Sequence, residues 1–407
     1  MSLEDLSPSQ ISKLSPTRAL DIKASELDAM SAGQRAALNR LDPVLADATA
    51  NENNGVLSYD GALAVLQDVA HGRMTELKFH GLNSVAAAID SGAIQTSAYV
   101  EQIFDDVVQG NSANAWWTGG GKSRVALGDL TAHSSHTQVD ELIGKWFLGT
   151  DLPQLDSNYS YQDDSGTPLY GATGTPQIAD VNQGGTGDCY FLAALAEIAY
   201  QDPLTIENMI QANGNGTYSV EFQVNGNPDY VTVNDDFQHL PSGWRYAGGN
   251  TAFDGGAGTL WSELIEKAFV QLNEQQGAGD NTSVNSYNGI SGGWGEGLTE
   301  ITGQSFKTYA ISTNSSASSV SNTLTTLQSA LSNGEDVIMG TSNAAPPTGS
   351  NLVNDHMFSV LAVNAAAGTV TLRNPWGGSG AIFTDAESYL AADNVQFLAT
   401  TGHSALG

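Results

Sequence analysis

The chain has 407 residues, which is too long for one ordinary hydrophobic core and suits two or three compact units. Its 14 Lys and Arg against 44 Asp and Glu give a formal charge of −30. Phosphate backbones would be repelled, so nucleic acid is excluded as a partner, and anionic membrane surfaces are disfavoured. With 40% hydrophobic and 14% charged residues, the composition is that of a globular protein.

The chain shows no signal for a membrane span or a cleaved leader. No stretch reaches ~18 uninterrupted apolar residues, and residues 1–50 lack a basic start followed by an apolar run. Few Lys and many Gly, Asn, Ser and Thr are typical of bacterial proteins exported without a cleaved leader. This composition predicts a secreted protein, with a cytoplasmic location as the alternative.

The first segment repeats a short phrase in which Ser precedes Pro or Ala and apolar residues follow. It occurs at 6–11, 14–20 and 30–38. The pattern predicts short capped helical turns in series. Units this short favour an interaction or spacer element over a catalytic one, and they leave open whether the N-terminal part inhibits, targets or anchors the rest.

Residues 35–110 carry apolar side chains at three- and four-residue spacings, which predicts helices. Between two of these helices, Ala50–Gly61 imitates a calcium-binding EF-hand loop through its oxygen-bearing residues, its central Gly55 and its Leu57. The first ligand position holds Ala, however, and the twelfth holds Gly in place of the expected Glu. An ordinary helix–loop–helix is therefore the favoured interpretation, with a metal site as the alternative.

After residue 138 the predicted secondary structure changes from helix to linker, then to a mainly helical region and finally to strands. Residues 139–147 predict another helix, and Asp151–Thr175, rich in Ser, Asp, Tyr, Gly and Pro, predicts a linker. Helical signals dominate to about residue 275, interrupted by a hairpin pattern at 218–223 and 230–233, and strands follow. The order predicts an α+β protein with a mainly α-helical domain at 1–150, a helix-rich lobe at 151–303 and a strand-rich lobe at 304–407.

The single cysteine, Cys189, lies at a glycine-rich turn that opens an apolar helix. Unpaired N–H groups and the helix dipole favour negative charge there, so we expect the pKa of Cys189 to lie well below about 8.5. Gln183, six residues earlier, could direct its amide at the oxygen of a tetrahedral intermediate beside the Cys189 N–H. This context favours a reactive thiol over a small buried apolar residue.

The stretch from Gln183 to Ala194 resembles the active-site signature of calpain-like cysteine proteases. Residues 260–269 and 287–293 resemble later signatures of that family, and the similarity covers about 151–407. The resemblance implies a papain-like two-lobed core with Cys189 as the nucleophile. The N-terminal domain has no counterpart in it.

His356 begins a strand-like apolar run, and Asn374, followed by Pro and Trp376, comes later in the chain. The resemblance implies that these are the His and Asn of the family triad. His356 would take the Cys189 proton, and Asn374 would accept the other ring N–H and hold the ring in line. Trp376 would cover that hydrogen bond from water, and in calpains the matching Trp also moves as a gate.

Three positions concern the substrate and calcium. Asp355 stands where animal calpains carry Gly, which should alter a main-chain substrate contact and place a carboxylate at the cleft. Asp180 matches one acidic calcium ligand of the family, but Thr259 replaces an expected Glu. Because losing a charged ligand weakens an all-oxygen site, no cofactor is expected to be required, although calcium stays possible.

The sequence therefore predicts an endopeptidase whose partners are protein or peptide substrates. Gly292 and Gly293 are expected to pair with substrate backbone as an extended strand. Two alternatives stay open. An acyl transferase would use the same triad with an amine intercepting the thioester, and a non-catalytic binding module would retain only the fold. The remaining histidines are expected to be structural, and His133 with His136 has metal-like spacing but no clear third ligand.

Overall fold

The computed structural model describes residues 5–20, 22–241, 258–275, 284–403 and 406. These form two compact units. One runs to Gly119 and resumes from Arg124 to Asp151, and the other comprises Gly120–Ser123 and the chain from Leu152 onward. None of the helices built from the described residues combines the length and apolar character that crossing a membrane requires.

The first unit is helical, apart from a hairpin of two-residue strands. Ser and Thr side chains at the N-caps of its longer helices accept backbone N–H groups of the first turn, which stabilises each start. Its elements are α1 (Pro8–Ile11), α2 (Pro16–Leu20), α3 (Ala24–Ala29), α4 (Ala32–Asn39), α5 (Pro43–Ala50), α6 (Tyr59–Ala70), α7 (Glu76–Asp90), α8 (Ala98–Val108), β1 (Trp116–Trp117), β2 (Val125–Ala126) and α9 (His136–Trp146).

The EF-hand-like stretch forms a helix–loop–helix between α5 and α6. Its loop pairs with the loop between α7 and α8, where Val56 bridges Gln95 and the Leu57 N–H donates to the Gln95 carbonyl at 2.8 Å. A Cβ at Gly61 would lie 2.8 Å from the Asn51 carbonyl oxygen, so a larger residue there would displace backbone. Among the described residues, no group of three or more His, Cys, Asp and Glu side chains is placed to hold a metal ion.

The second unit begins with a helix-rich part. α10 (Cys189–Gln201) is buried from residue 190 to 199, and the Phe191 ring stacks on Phe269 with centroids 3.9 Å apart. Ser160–Asp163 forms a strand inside the predicted linker, because it pairs with a later strand. The other elements are β3 (Ser160–Asp163), α11 (Pro203–Met209), β4 (Ile210–Ala212), β5 (Thr217–Val224), β6 (Asn227–Asn234), β7 (Asp236–His239), α12 (Trp261–Glu274) and α13 (Glu296–Thr302).

The strand-rich part is built on one antiparallel sheet with the order β12-β11-β10-β9-β13-β8. Alternating β-branched and aromatic residues place one face of its central strands in a buried core with α14. Its elements are β8 (Phe306–Ala310), α14 (Ala317–Ser332), β9 (Val337–Gly340), β10 (Met357–Asn364), β11 (Thr369–Arg373), β12 (Ile382–Ala386), α15 (Glu387–Asp393) and β13 (Gln396–Thr400). The predicted α+β fold is confirmed.

The two parts of the second unit are joined by buried polar contacts as well as by apolar packing. α10 packs against β10, and the Ser359 hydroxyl donates to the Ala193 carbonyl at 2.7 Å. The Arg373 guanidinium donates to the Val181 carbonyl. Since α10 starts at Cys189 and β10 starts directly after His356, these contacts fix the thiol relative to the imidazole.

Candidate active site

A cleft of about 420 Å³ contains most of the predicted site residues. Cys189 and His356 both line it, at the start of α10 and just before β10. Residues 183–187 line the cleft, and so do Gly292 and Gly293. The other residues that line the cleft are Tyr190, Trp294, Thr341, Asp355, Met357 and Trp376.

Adjacent strands bring His356 and Asn374 together. β10 and β11 pair antiparallel, so the start of one strand lies beside the end of the other. His356 Nε2 lies 2.9 Å from Asn374 Oδ1 across 18 residues of sequence. Since an amide oxygen only accepts, Nε2 carries the ring proton and Nδ1 is left to accept one. Asn374 therefore fixes the ring tautomer and leaves Nδ1 unprotonated.

The backbone and ring of His356 are held on several sides. Thr341 Oγ1 accepts the His356 N–H at 3.1 Å, while the Thr341 N–H donates to the His356 carbonyl at 2.9 Å. The Phe358 ring meets the imidazole edge-on at 5.1 Å, and the Trp376 ring lies 4.7 Å away, tilted by 43°. The Trp376 N–H donates to Asn374 Oδ1 at 3.0 Å. Thr341 was not predicted, because nothing in its local sequence indicates this role.

The thiol is at the N-terminus of α10, but it is half-buried beside carboxyl groups. Burial, with smaller contributions from the charges of Asp188 and Asp355, raises the pKa of Cys189 to about 11. Backbone N–H groups of Met357 and Tyr190 act in the opposite direction. The prediction of a lowered thiol pKa is therefore wrong, because desolvation outweighs the helix terminus.

The groups around the thiol favour a neutral resting pair. Burial lowers the pKa of His356, against smaller upward contributions from the Asn374 hydrogen bond and the Asp355 charge. Asp188 is fully buried, and burial raises its pKa to about 7. Among the hydrogen bonds described for His356, none reaches Cys189. The raised thiol pKa and the lowered imidazole pKa both favour the uncharged pair over a thiolate and imidazolium.

Gln183 lies in the cleft wall, and its amide is hydrogen-bonded within the protein. Its Nε2 donates to the Thr186 carbonyl at 2.7 Å and lies 3.4 Å from Asp188 Oδ1. Its backbone N–H donates to the Pro375 carbonyl at 2.8 Å. In this arrangement both amide hydrogens are directed at protein acceptors, so donation to a substrate oxygen requires a side-chain rotation.

Two glycines and two aromatic rings form another part of the cleft wall. The Gly292 N–H donates to the Gly187 carbonyl at 3.0 Å, so this donor is already used within the protein. A Cβ at Gly293 would lie 2.4 Å from the Tyr190 ring, whose hydroxyl donates to the Ile290 carbonyl. Trp294, which is 36% exposed, follows in the same wall. Its position after two cleft glycines was a signal that sequence reasoning missed.

A second cavity of about 610 Å³ contains the predicted metal residue Asp180. Asp180 Oδ2 accepts the Trp261 indole N–H at 2.7 Å and the Gln177 N–H at 2.9 Å. Thr259 and the buried Arg373 line the same cavity. One carboxylate oxygen that accepts two N–H groups, beside a guanidinium, does not fit the oxygen-rich anionic cage that calcium prefers.

The other described histidines take no part in this cleft. His239 Nε2 lies 2.6 Å from Asp164 Oδ2, and both side chains are largely buried, which supports a structural role. His136 pairs with the exposed Asp140 at 3.2 Å, four residues along α9. His133 and His136 are not part of any group of three or more possible metal ligands among the described residues.

Comparisons with known proteins agree with this geometry. A family model described as calpain family cysteine protease matches residues 167–385. Mouse (Mus musculus) calpain-8 is 30% identical over 226 residues, which cover 51% of this chain and 28% of the relative. The bovine (Bos taurus) calpain-2 catalytic subunit is 26% identical over 224 residues, covering 50% and 29% respectively. The matched region is thus less than a third of each relative's length.

Proposed function

Because the chain belongs to the calpain family of cysteine proteases, we propose that it is an endopeptidase that acts through Cys189, His356 and Asn374. The observation that carries the proposal is the 2.9 Å contact between His356 Nε2 and Asn374 Oδ1 in the cleft that Cys189 also lines. A thiol nucleophile and a base with a fixed tautomer are the two groups that acyl transfer through a thioester requires.

The neutral resting pair defines the first chemical step. As Cys189 Sγ attacks the peptide carbonyl carbon, His356 Nδ1 takes the thiol proton and the C=O π electrons move to the oxygen. The imidazolium then gives this proton to the leaving amine nitrogen, and the C–N bond breaks to leave a thioester. Asn374 holds the Nε2 proton throughout. The ring therefore keeps both its orientation toward the thiol and its tautomer.

In the second half-reaction water is the nucleophile and the Cys189 sulfur is the leaving group. His356 takes a proton from water while the water oxygen attacks the thioester carbon, and the proton returns to the departing sulfur. Through both tetrahedral intermediates the Cys189 N–H donates to the oxyanion, and Gln183 Nε2 joins it after leaving the Thr186 carbonyl. Substrate binding must therefore supply the free energy that turns the Gln183 amide.

Turnover of casein and of an internally quenched peptide tests the proposal. The wild type should cleave both, and Cys189→Ala should lose cleavage while keeping the same thermal unfolding temperature. Mass spectrometry separates shortened products from amide-linked ones, and the latter would assign the protein to acyl transfer instead. A folded wild type that cleaves neither substrate would contradict the endopeptidase proposal and favour a binding module.

We further propose that turnover needs no calcium. The support is the cavity around Asp180, where Thr259 supplies a hydroxyl and Arg373 supplies a buried positive charge. Equal kcat/KM with calcium and with a chelator is the expected result. A chelator that abolishes turnover, with recovery on adding calcium, would contradict this part of the proposal and leave the endopeptidase itself standing.

A further inference from the structure

Asp355 stands out among the residues that line the active-site cleft. Among the described residues that line the cleft, Asp355 is the one that carries a carboxylate, and none of them is Lys or Arg. Its N–H donates to the Ser342 carbonyl at 2.8 Å, yet within the described part of the chain its side chain forms no hydrogen bond or ion pair. The carboxylate is exposed to the cleft and available to a ligand.

The backbone at Asp355 is held in the left-handed region, with φ at 51°. Non-glycine residues rarely adopt this conformation, although Asp and Asn tolerate it better than others. It is kept here because the flanking backbone is fixed: Thr341 and Ser342 bond to residues 356 and 355 respectively. Such strain is commonly found at residues that contact ligands.

The carboxylate lies next to the reacting groups. Asp355 directly precedes His356 in the chain, and its charge acts on both the Cys189 thiol and the His356 imidazole. A substrate group that pairs with it must therefore belong to a residue close to the scissile bond. Two exposed indoles in the same cleft, Trp294 and Trp376, offer aromatic faces that also attract cations.

From these positions we propose that Asp355 makes the cleft selective for peptides with Lys or Arg within about two residues of the scissile bond. This inference rests on the proposed endopeptidase function and adds its substrate class. The carboxylate pairs with the ammonium or guanidinium group, and the stem of the long side chain covers an indole face. The formal charge of −30 also attracts cationic segments toward the protein at low salt.

Three quenched peptides that differ only in having Lys, Gln or Glu beside the scissile bond test this selectivity. We expect the wild type to show kcat/KM about tenfold higher for Lys than for Gln, which corresponds to about 1.4 kcal/mol, and lowest for Glu. Asp355→Asn is the matched variant, because Asn tolerates a positive φ. It should bring the Lys-to-Gln ratio close to one, whereas Asp355→Lys should reverse the preference.

The control variant is Glu387→Gln, which removes an exposed carboxylate outside the cleft in the same part of the fold. It should keep the wild-type Lys-to-Gln ratio, which separates a local charge from the overall charge. Raising the salt concentration should reduce the Lys-to-Gln ratio in both the wild type and Glu387→Gln. The same ratio in wild type and Asp355→Asn would overturn the proposal.

Binding measured without turnover separates this proposal from the endopeptidase function. In a Cys189→Ala background, fluorescence anisotropy should give a lower Kd for the Lys peptide than for the Gln peptide, and adding Asp355→Asn should remove the difference. If this binding preference exists but the wild type cleaves nothing, the charge recognition stands and the protease function fails. If the wild type cleaves peptides without any charge preference, the protease function stands and the charge recognition fails.

Discussion

The hydrogen bond between His356 and Asn374 provides the sharpest test of the site. Asn374→Ala removes the acceptor of the imidazole Nε2–H at 2.9 Å and of the Trp376 N–H at 3.0 Å in a single change. His356 is only 6% exposed, so water replaces the lost acceptor poorly. Leaving a buried donor unpaired costs about 1–3 kcal/mol, and about 1.4 kcal/mol equals a tenfold change.

We therefore expect kcat/KM of Asn374→Ala to fall about 10- to 100-fold if the whole cost appears in the transition state. The bond to Asn374 also raises the pKa of His356 against the larger lowering by burial. Without it the pKa falls further, so the acidic limb of the pH–rate profile should move to lower pH. Progress curves with a quenched peptide from pH 5 to 9 measure both effects.

Asn364→Ala is a suitable control, since it removes a hydrogen bond of similar kind, Asn364 Oδ1 to the Ala367 N–H at 3.0 Å, at the end of β10 away from the cleft. It should leave both the rate and the pH profile as in the wild type. Matching kinetics for Asn374→Ala and the wild type would refute the assignment of Asn374 as the group that orients His356. An equal fall in the two variants would indicate a general loss of stability instead.

Three further outcomes are expected. Gly293→Ala should lower kcat/KM without abolishing folding, because its Cβ would meet the Tyr190 ring at 2.4 Å; unchanged kinetics would remove Gly293 from the cleft wall. Burial raises the pKa of Glu300 from 4.5 to about 9, so the folded state keeps a proton that the unfolded state releases, and stability falls as pH rises through that range. Glu300→Gln should therefore raise Tm more at pH 8 than at pH 5, by about 2–4 °C for each kcal/mol, and an equal change at both would contradict this. Alkylation of Cys189 by iodoacetamide, followed by mass spectrometry, should accelerate steadily above pH 8; a plateau reached near pH 6 would indicate a preformed thiolate instead.

Local sequence was sufficient where one segment carries the whole signal. The glycine-rich turn before an apolar helix predicted the position of Cys189 at the start of α10, and the apolar runs after His356 and before Asn374 predicted β10 and β11. Pairing of adjacent strands then brings the imidazole and amide together. These features depend on periodicity and chain order, which are both written in the local sequence.

Features that depend on distant packing were not predictable in this way. Ser160–Asp163 is short and polar, and it is a strand only because Asp236–His239 pairs with it. The Gln183 amide points at the Thr186 carbonyl, a choice between close acceptors that residue type does not determine. Thr341, directly after β9, holds the His356 backbone. Each of these needs the position of a partner far away in the chain.

The thiol pKa is the clearest case in which distant packing overrides a prediction made from the local sequence. A helix N-terminus stabilises a thiolate, but Cys189 is half-buried and Asp188 and Asp355 carry like charge near it. Desolvation and these charges together raise its pKa to about 11. A thiolate–imidazolium pair formed before substrate binding would be disfavoured on both sides, since burial also lowers the pKa of His356. Under the proposed function, proton transfer would then accompany attack on the carbonyl. A cation held by Asp355 would offset one of the charges that oppose the thiolate, so the proposed substrate class would also assist the first chemical step.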